Sequence, residues 1–284
     1  MEETIALNNQ KLLDQCKRIK MLMSKAAKTK VGKNMYGAKY HKYKLKPPAP
    51  LEEIRLFEKE HGISFPEEYL YFLTQVGNGG TGPGNGFFDG YKSCFNPDAV
   101  KWIHTPSEQL ENELSDEEWD SKYGNGFWNS LTEKEREDYW SKENDEDEPP
   151  RDSGSISLTA TDTTYLAHLI FAGKNRGRIV YLDWDGDCPP IWPKSSFNFL
   201  DWCENWFKEI VDGYNVEPGS FMYHEIGTQE DLMHSFYKAK NEQYKREVLY
   251  SFAKFSSLNN STIGFLKEQQ ETYKEAAQIL KTQV

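Results

Sequence analysis

Tyr165-Leu166-Ala167-His168-Leu169-Ile170-Phe171-Ala172, then Gly173-Lys174-Asn175-Arg176-Gly177, then Arg178-Ile179-Val180-Tyr181-Leu182-Asp183-Trp184 is the stretch that decides the fold class. Its first part is an almost unbroken apolar run. In its last part Ile179, Tyr181 and Asp183 alternate with Val180, Leu182 and Trp184, as in a strand whose two faces differ. Residues 174–177 between them read as a glycine-containing hairpin loop. A parallel pairing would need a crossover of a dozen or more residues, so the two strands are predicted antiparallel. A weaker strand is expected at 155–161.

Helices are predicted on both sides. Downstream, residues 196–211 carry Phe197, Leu200, Trp202, Trp206, Phe207 and Ile210 at a spacing that would pack a helix onto the sheet. Upstream, a helix from Leu51 ends at Gly62. After an elbow, Ser64 is expected to cap a second helix with Pro66 in its first turn. Tyr69, Phe72, Leu73 and Val76 would form its buried face, and Gly77-Asn78-Gly79-Gly80 stops it. Residues 87–91 read as a further short strand. Thr105-Pro106-Ser107-Glu108 reads as a helix start with proline at the first helical position, and Ser130-Leu131-Thr132-Glu133 as a capping box. Residues 5–30 read as one helix broken by Gly32 and Gly37, and residues 229–254 and 261–281 as two terminal helices. Strands joined by a hairpin and flanked by helices make an α+β protein with an antiparallel sheet.

The chain has 284 residues and a mean hydropathy of -0.79, polar for a globular protein. Its 8 Trp, 16 Tyr and 16 Phe argue against disorder, because each buried aromatic removes ~150–250 Å² from water. No apolar run approaches the ~20 residues of a membrane span, and the opening residues lack the basic-then-apolar pattern of a signal peptide. A cytoplasmic protein without membrane contact is expected. Cys16, Cys94, Cys188 and Cys203 are scattered with no CxxC pair, so four reduced thiols are expected.

Charge divides the chain. Residues 1–48 carry 12 Lys+Arg against 3 acids, while residues 107–148 carry 16 acids against 4 bases. A basic arm can follow phosphate through counterion release, but a protein of net charge -11 is repelled by nucleic acid at long range. The arm is therefore read as a solvated or partner-contacting face, its lysines neutralising the acidic block, with no direct nucleic-acid binding expected. The acidic block reads either as solvated surface on an insertion or as a surface that draws in a basic partner.

The chemistry-bearing patterns are weak. The glycines of residues 77–86 follow a helix and lack GK[ST], the reverse of a phosphate loop. Asp183-Trp184-Asp185-Gly186-Asp187 puts glycine at the fourth place of a would-be calcium loop and Lys194 at the twelfth, where a bidentate Glu belongs. His168 sits in an apolar strand, where a satisfied core imidazole is the default. No catalytic, metal or cofactor-binding residue is assigned.

In order along the chain, residues 37–43, Ile54-Arg55-Leu56-Phe57-Glu58, Ile63-Ser64-Phe65-Pro66-Glu67-Glu68-Tyr69 with Phe72-Leu73, Gly77-Asn78-Gly79-Gly80, Phe171-Ala172-Gly173 with Gly177, and Ser196-Phe197 resemble the SMI1/KNR4 (SUKH) superfamily. The resemblance covers residues 36–212, with Phe65 where leucine is more usual. It implies a SUKH-like antiparallel or mixed sheet packed by helices, carrying an acidic helical insert at about 107–152. A basic helical arm (1–35) and a C-terminal helical extension (213–284) lie outside it. Pro66, Tyr69, Phe72, Leu73, Asn78, Gly79, Gly80, Gly173, Gly177 and Phe197 would be its mostly structural motif residues.

Bacterial members of that family are immunity proteins that bind and silence toxins, often nucleases or deaminases; fungal members are adaptors. The resemblance thus implies a non-enzymatic protein whose partner is a basic, nucleic-acid-acting toxin. Glu117, Glu118, Trp119, Asp120, Trp128, Glu137, Asp138 and Trp140 are the candidate contacts, carboxylates beside aromatic anchors. Two alternatives stand beside it: a scaffold or regulatory adaptor, and a hydrolase using His168 with carboxylates such as Asp183.

Overall fold

The hairpin forms. In the computed structural model β2 (Tyr165–Ile170) and β3 (Ile179–Asp183) pair antiparallel, with His168 opposite Val180 and Leu166 opposite Leu182. β1 (Ser155–Ala160) pairs antiparallel with the other edge of β2, its register slipping between Ser157 and Thr159. The structure describes residues 9–87, 90–95, 97–143, 147–160, 164–186, 188–193, 197–216, 221 and 225–283, and the chain is 54% helical. The α+β prediction holds.

The pleat sends alternate side chains to opposite faces, and both are covered. Ala167, Leu169, Ile179 and Tyr181 join Ile156 and Leu158 in the main core. There α11 (Phe199–Asp212) buries Phe199, Leu200, Trp202, Trp206, Phe207 and Ile210. The Trp202 indole N–H donates to the Tyr181 hydroxyl at 2.8 Å, so the one polar atom of a fully buried ring is satisfied. Asn198 caps this helix by accepting the Asp201 N–H at 2.9 Å, which leaves Phe197 ahead of the helix. Ser196 lies outside the described residues.

α1 (Gln10–Ala26) packs along α11, with Gln15 on Asp201 at 2.8 Å and Arg18 on Glu204 at 2.5 Å. It is shorter than predicted. Thr29 caps a new helix, α2 (Lys30–Asn34), and Gly32 lies inside that helix rather than breaking one; α3 (Ala38–His41) follows. Residues 5–8 of the predicted helix lie outside the described residues.

α4 (Leu51–His61) ends at Gly62 as predicted, and α5 (Glu67–Gln75) follows. Ser64 does not cap α5. The cap position is Pro66, and the buried Glu58 carboxylate turns back to accept the Phe65 N–H at 2.7 Å. Ser64 instead accepts from the Arg176 guanidinium of the hairpin loop, fastening elbow to sheet. Residues 87–91 form no described strand: Phe87 makes an isolated bridge to Gly80, Tyr91–Cys94 is a 3-10 turn, and residues 88–89 lie outside the described set.

The acidic insert folds into α7 (Glu108–Glu111), α8 (Asp116–Lys122), α9 (Asn125–Ser130) and α10 (Glu133–Glu143), after a short α6 (Pro97–Trp102). It covers the outer sheet face, where Leu110 packs on Ile170, Val180 and Leu182 in a small second core. Pro106 stands before the cap rather than inside α7. The box at α10 is Thr132 with Glu135, not Ser130 with Glu133. Thr132 Oγ1 accepts the Glu135 N–H at 3.3 Å, and Glu135 accepts the Thr132 N–H at 2.8 Å.

Each predicted terminal helix is two: α12 (Gln229–Lys238) and α13 (Glu242–Tyr250), then α14 (Asn260–Gln269) and α15 (Lys274–Gln283). They enclose a separate apolar cluster around Leu232, Phe236, Leu249, Phe252, Phe265 and Leu266. Lys254 ties this unit to α11. Fully buried, its ammonium donates to the Glu209 carboxylate at 2.6 Å and to the Glu225 carbonyl at 2.8 Å.

Candidate partner-binding site

The insert's helices owe their form to carboxylates used locally. Ser115 and Glu118 make a capping box on α8, the serine oxygen accepting the Glu118 N–H at 3.2 Å and Glu118 accepting the Ser115 N–H at 2.9 Å. The Ser115 backbone bond, then its hydroxyl, hold the Glu118 carboxyl below its ordinary pKa. Asp120 accepts the Gly126 N–H at 3.1 Å on both oxygens and so fixes the corner into α9. Two of the predicted contacts thus shape the insert. Glu117, Glu137 and Asp138 are exposed.

The aromatic members are mostly not surface anchors. Trp119 is 5% exposed and packs against Tyr123 at 6.3 Å between ring centroids. Trp128 is half-buried, with Phe127 at 5.5 Å and Tyr139 at 5.0 Å. With few aliphatic residues of its own, the insert spends its aromatics on its own small core. The side chain of Trp140 lies outside the described residues. The exposed tryptophan beside this region is Trp184, at 77%, on the acidic turn after β3. Its place in a strand-like alternation concealed it; the signal was Asp-Trp-Asp-Gly just past the strand's end, where a side chain faces solvent.

Between insert and sheet lies a cavity of about 380 Å³. Leu166, His168 and Leu182 of the outer sheet face line it, with Trp119 and Asp152 from the insert side and Asp183 to Asp185 at the turn. Two groups of the hydrolase alternative therefore do share one cavity. Their chemistry points elsewhere. Ser155 Oγ donates to the Asp152 carbonyl at 2.7 Å, so at His168 Nδ1, 3.0 Å away, it can only accept. The imidazole thus carries its proton on Nδ1, and the serine hydrogen is already committed. Burial pushes the His168 pKa down to about 4, with Asp152 opposing. At such a value the imidazole is neutral at pH 7 and lies well below the near-neutral range of an efficient base. Among the described residues no group of three His, Cys, Asp or Glu could hold a metal ion.

Among the described residues, the contacts of the arm's cations lie on other elements. Arg18 reaches α11 and Lys20 donates to the Gln75 carbonyl at 3.0 Å, and no ion pair among the described residues joins residues 10–46 to residues 107–148. The insert's carboxylates face cations nearer to hand: Glu108 meets Lys122, and Glu113 meets Arg178 at 2.6 Å. All four cysteines are free; burial lifts Cys16 to about 12. No described helix is long and apolar enough to cross a membrane.

The motif residues lie mainly in the main core. Tyr69 packs on Phe199 at 4.8 Å, Phe72 on Phe87 and Phe199 at 5.2 and 5.1 Å, and Leu73 is buried beside them. Phe197 packs against the same core, Pro66 begins α5, and Gly173 and Gly177 bound the hairpin loop. Asn78 and the glycines knit three segments together: Asn78 Oδ1 accepts the Tyr91 N–H at 2.8 Å, the Gly79 carbonyl accepts the Lys46 N–H at 3.0 Å, and Gly80 bridges both Leu45 and Phe87. Gly80 has φ 101°, and a Cβ there would stand 2.4 Å from the Lys44 carbonyl oxygen. Only glycine fits.

No curated protein and no solved structure matches the chain. The SMI1 / KNR4 family (SUKH-1) profile matches residues 48–204, which takes in α4, α5, the insert, the sheet and the first part of α11 but neither residues 37–43 nor the C-terminal helices. Over more than half of its length, and with its motif side chains forming the core that the fold requires, the chain belongs to the SMI1/KNR4 family.

Proposed function

We propose that this chain is a non-enzymatic immunity protein that works in the bacterial cytoplasm by binding and covering a basic, nucleic-acid-acting toxin. The observation that carries the reading is the insert: residues 107–148 carry net -12, and helices α7 to α10 within them form a layer whose Glu117, Glu133, Glu137 and Asp138 stand exposed. A toxin that holds phosphate must be basic, and carboxylates concentrated on one layer speed encounter with such a surface. The neutral, hydrogen-bonded His168 supports binding over catalysis. The organisation that goes with it is a family domain at 36–212, an arm packed on it and a C-terminal extension.

The test is capture of the product of the neighbouring gene, followed by stopped-flow association. Changing Glu117, Glu133, Glu137 and Asp138 together to lysine should lower the association rate by about tenfold or more while leaving dissociation nearly unchanged. An association rate indifferent to both salt and these substitutions would refute steering. Capture of no stoichiometric toxin would favour the adaptor alternative.

A further inference from the structure

We propose that copies of this chain associate head to tail, the basic knot at residues 25–44 of one copy docking on the acidic insert of the next. The proposal goes beyond the toxin reading and does not rest on it, since it needs this chain alone.

The knot is compact. The Tyr43 hydroxyl donates to the Gly32 carbonyl at 2.9 Å, and Gly32 lies so near the end of α1 that a Cβ there would fall 2.0 Å from the Ala26 carbonyl oxygen. Lys42 and Tyr43, with φ of 50° and 53°, turn the chain back to this contact, and His41 Nδ1 accepts the Tyr43 N–H at 3.0 Å to hold the turn. Around it Lys25, Lys28, Lys30, Lys33, Lys42 and Lys44 are exposed, and none is in an ion pair among the described residues. The sequence holds no Asp or Glu from Gln15 to Leu51, so no neighbour in the chain offsets them.

The fold sets knot and insert on opposite faces. α1 and α2 lie against α11, and α11 packs on the inner sheet face with Ala167, Leu169, Ile179 and Tyr181. The insert's Leu110 lies on the outer face. Three layer spacings of ~10 Å hold the two charged surfaces about 30 Å apart, whereas the Debye length is about 10 Å in 0.1 M salt. Within one chain their attraction is therefore screened, and in a second copy it is not, because the surfaces touch. Residues 1–48 carry net +9 and residues 107–148 net -12, so the two are complementary in sign and similar in size. A second copy carries both signs, and aligning the two dipoles offsets the repulsion of two net -11 molecules. A uniformly negative nucleic acid has no such orientation. Two different surfaces on opposite sides make a heterologous contact, which leaves one free face at each end and lets short stacks grow.

Sedimentation velocity of the full chain tests this. In ~20 mM salt the weight-average coefficient should rise by about a third or more between roughly 5 and 200 µM, and the rise should vanish at ~0.5 M salt. Lys25→Glu, Lys28→Glu, Lys30→Glu and Lys33→Glu together take residues 1–48 from +9 to +1; Glu117→Lys, Glu133→Lys, Glu137→Lys and Asp138→Lys take the insert from -12 to -4. All eight side chains are exposed, so both variants should keep the parent's melting temperature within a few degrees. Each alone should associate about tenfold or more weakly than the parent, while their equimolar mixture should pair one intact knot with one intact insert and stop at a dimer. A parent chain that stays at 33.0 kDa throughout in low salt, an association that survives ~0.5 M salt, or a mixture no larger than its parts would each overturn the proposal. So would a parent chain that remains monomeric yet binds a duplex oligonucleotide through these lysines, which would assign the knot to phosphate.

Discussion

Changing Lys254 to methionine keeps most of the side chain's volume and removes its charge. Lys254 and Glu209 have side chains 0% and 2% exposed, so solvent screens neither. Loss of the ammonium leaves the Glu209 carboxylate and the Glu225 carbonyl without the donor that reaches them at 2.6 and 2.8 Å. Stranding one member of a buried pair costs ~3–5 kcal/mol, whereas replacing both members by neutral groups of similar size is often close to neutral. Lys254→Met should therefore destabilise by roughly 3–5 kcal/mol, and Lys254→Met with Glu209→Gln by about 1 kcal/mol, giving a coupling of ~2 kcal/mol or more. Because the stranded carboxylate gains by taking up a proton, the single variant's deficit should shrink as pH falls from 7 toward 5.

Urea unfolding reads this out with unusual resolution. All 8 tryptophans lie at or before Trp206, so their fluorescence follows the family domain and insert, while far-ultraviolet dichroism also follows α12 to α15. In the parent chain the two transitions should coincide. In Lys254→Met the dichroism change should begin at lower urea as the terminal helices come loose. A single variant within ~1 kcal/mol of the parent, or a double variant worse than the single, would refute the reasoning.

Three further outcomes are expected. Burial pushes both His41 and His168 to about 4, below the ordinary 6.5, so the unfolded chain binds more protons between those values; stability should be fully present above pH 6.5 and fall as the solution is acidified, and His168→Gln should flatten the dependence of the urea midpoint between pH 5 and 6.5. Gly80→Ala should lower stability by ~1–3 kcal/mol or more, through its positive φ and the 2.4 Å approach to Lys44, visible as a reduced melting temperature. Trp119→Phe removes a buried, unpaired donor and should be tolerated within ~1 kcal/mol by thermal melting.

Where a local rule governs, the sequence was a good guide. The short glycine loop at 174–177 dictated an antiparallel pair, Gly62 ended α4, and the aromatic spacing of 199–210 named the core helix with its buried face. Long-range packing was less visible. Residues 107–148 look like solvated surface because their acids outnumber their bases 16 to 4, yet Leu110 joins Ile170, Val180 and Leu182, with Trp192 against them, in the core on the outer sheet face. Trp119 is buried because Gly124 and Gly126 let the chain fold back over it, and periodicity cannot register that. The terminal helices looked continuous because no proline interrupts them; the cap at Asn241, accepting the Tyr244 N–H at 2.7 Å, was the available sign of a restart. Of the candidate site, the acidic face was legible and the cavity was not, since it is made by two segments brought together only by the folded sheet.

The roof that the insert makes over β2 and β3 has a practical consequence for anyone trimming the protein to its smallest folded form. Excising residues 107–152 would remove polar, seemingly dispensable sequence and take Leu110 off Ile170, Val180 and Leu182, leaving them partly covered by Trp192. Three aliphatic side chains on neighbouring strands would then be partly open to water together, and the shortened molecule would be expected to clump rather than behave as a tidy minimal domain.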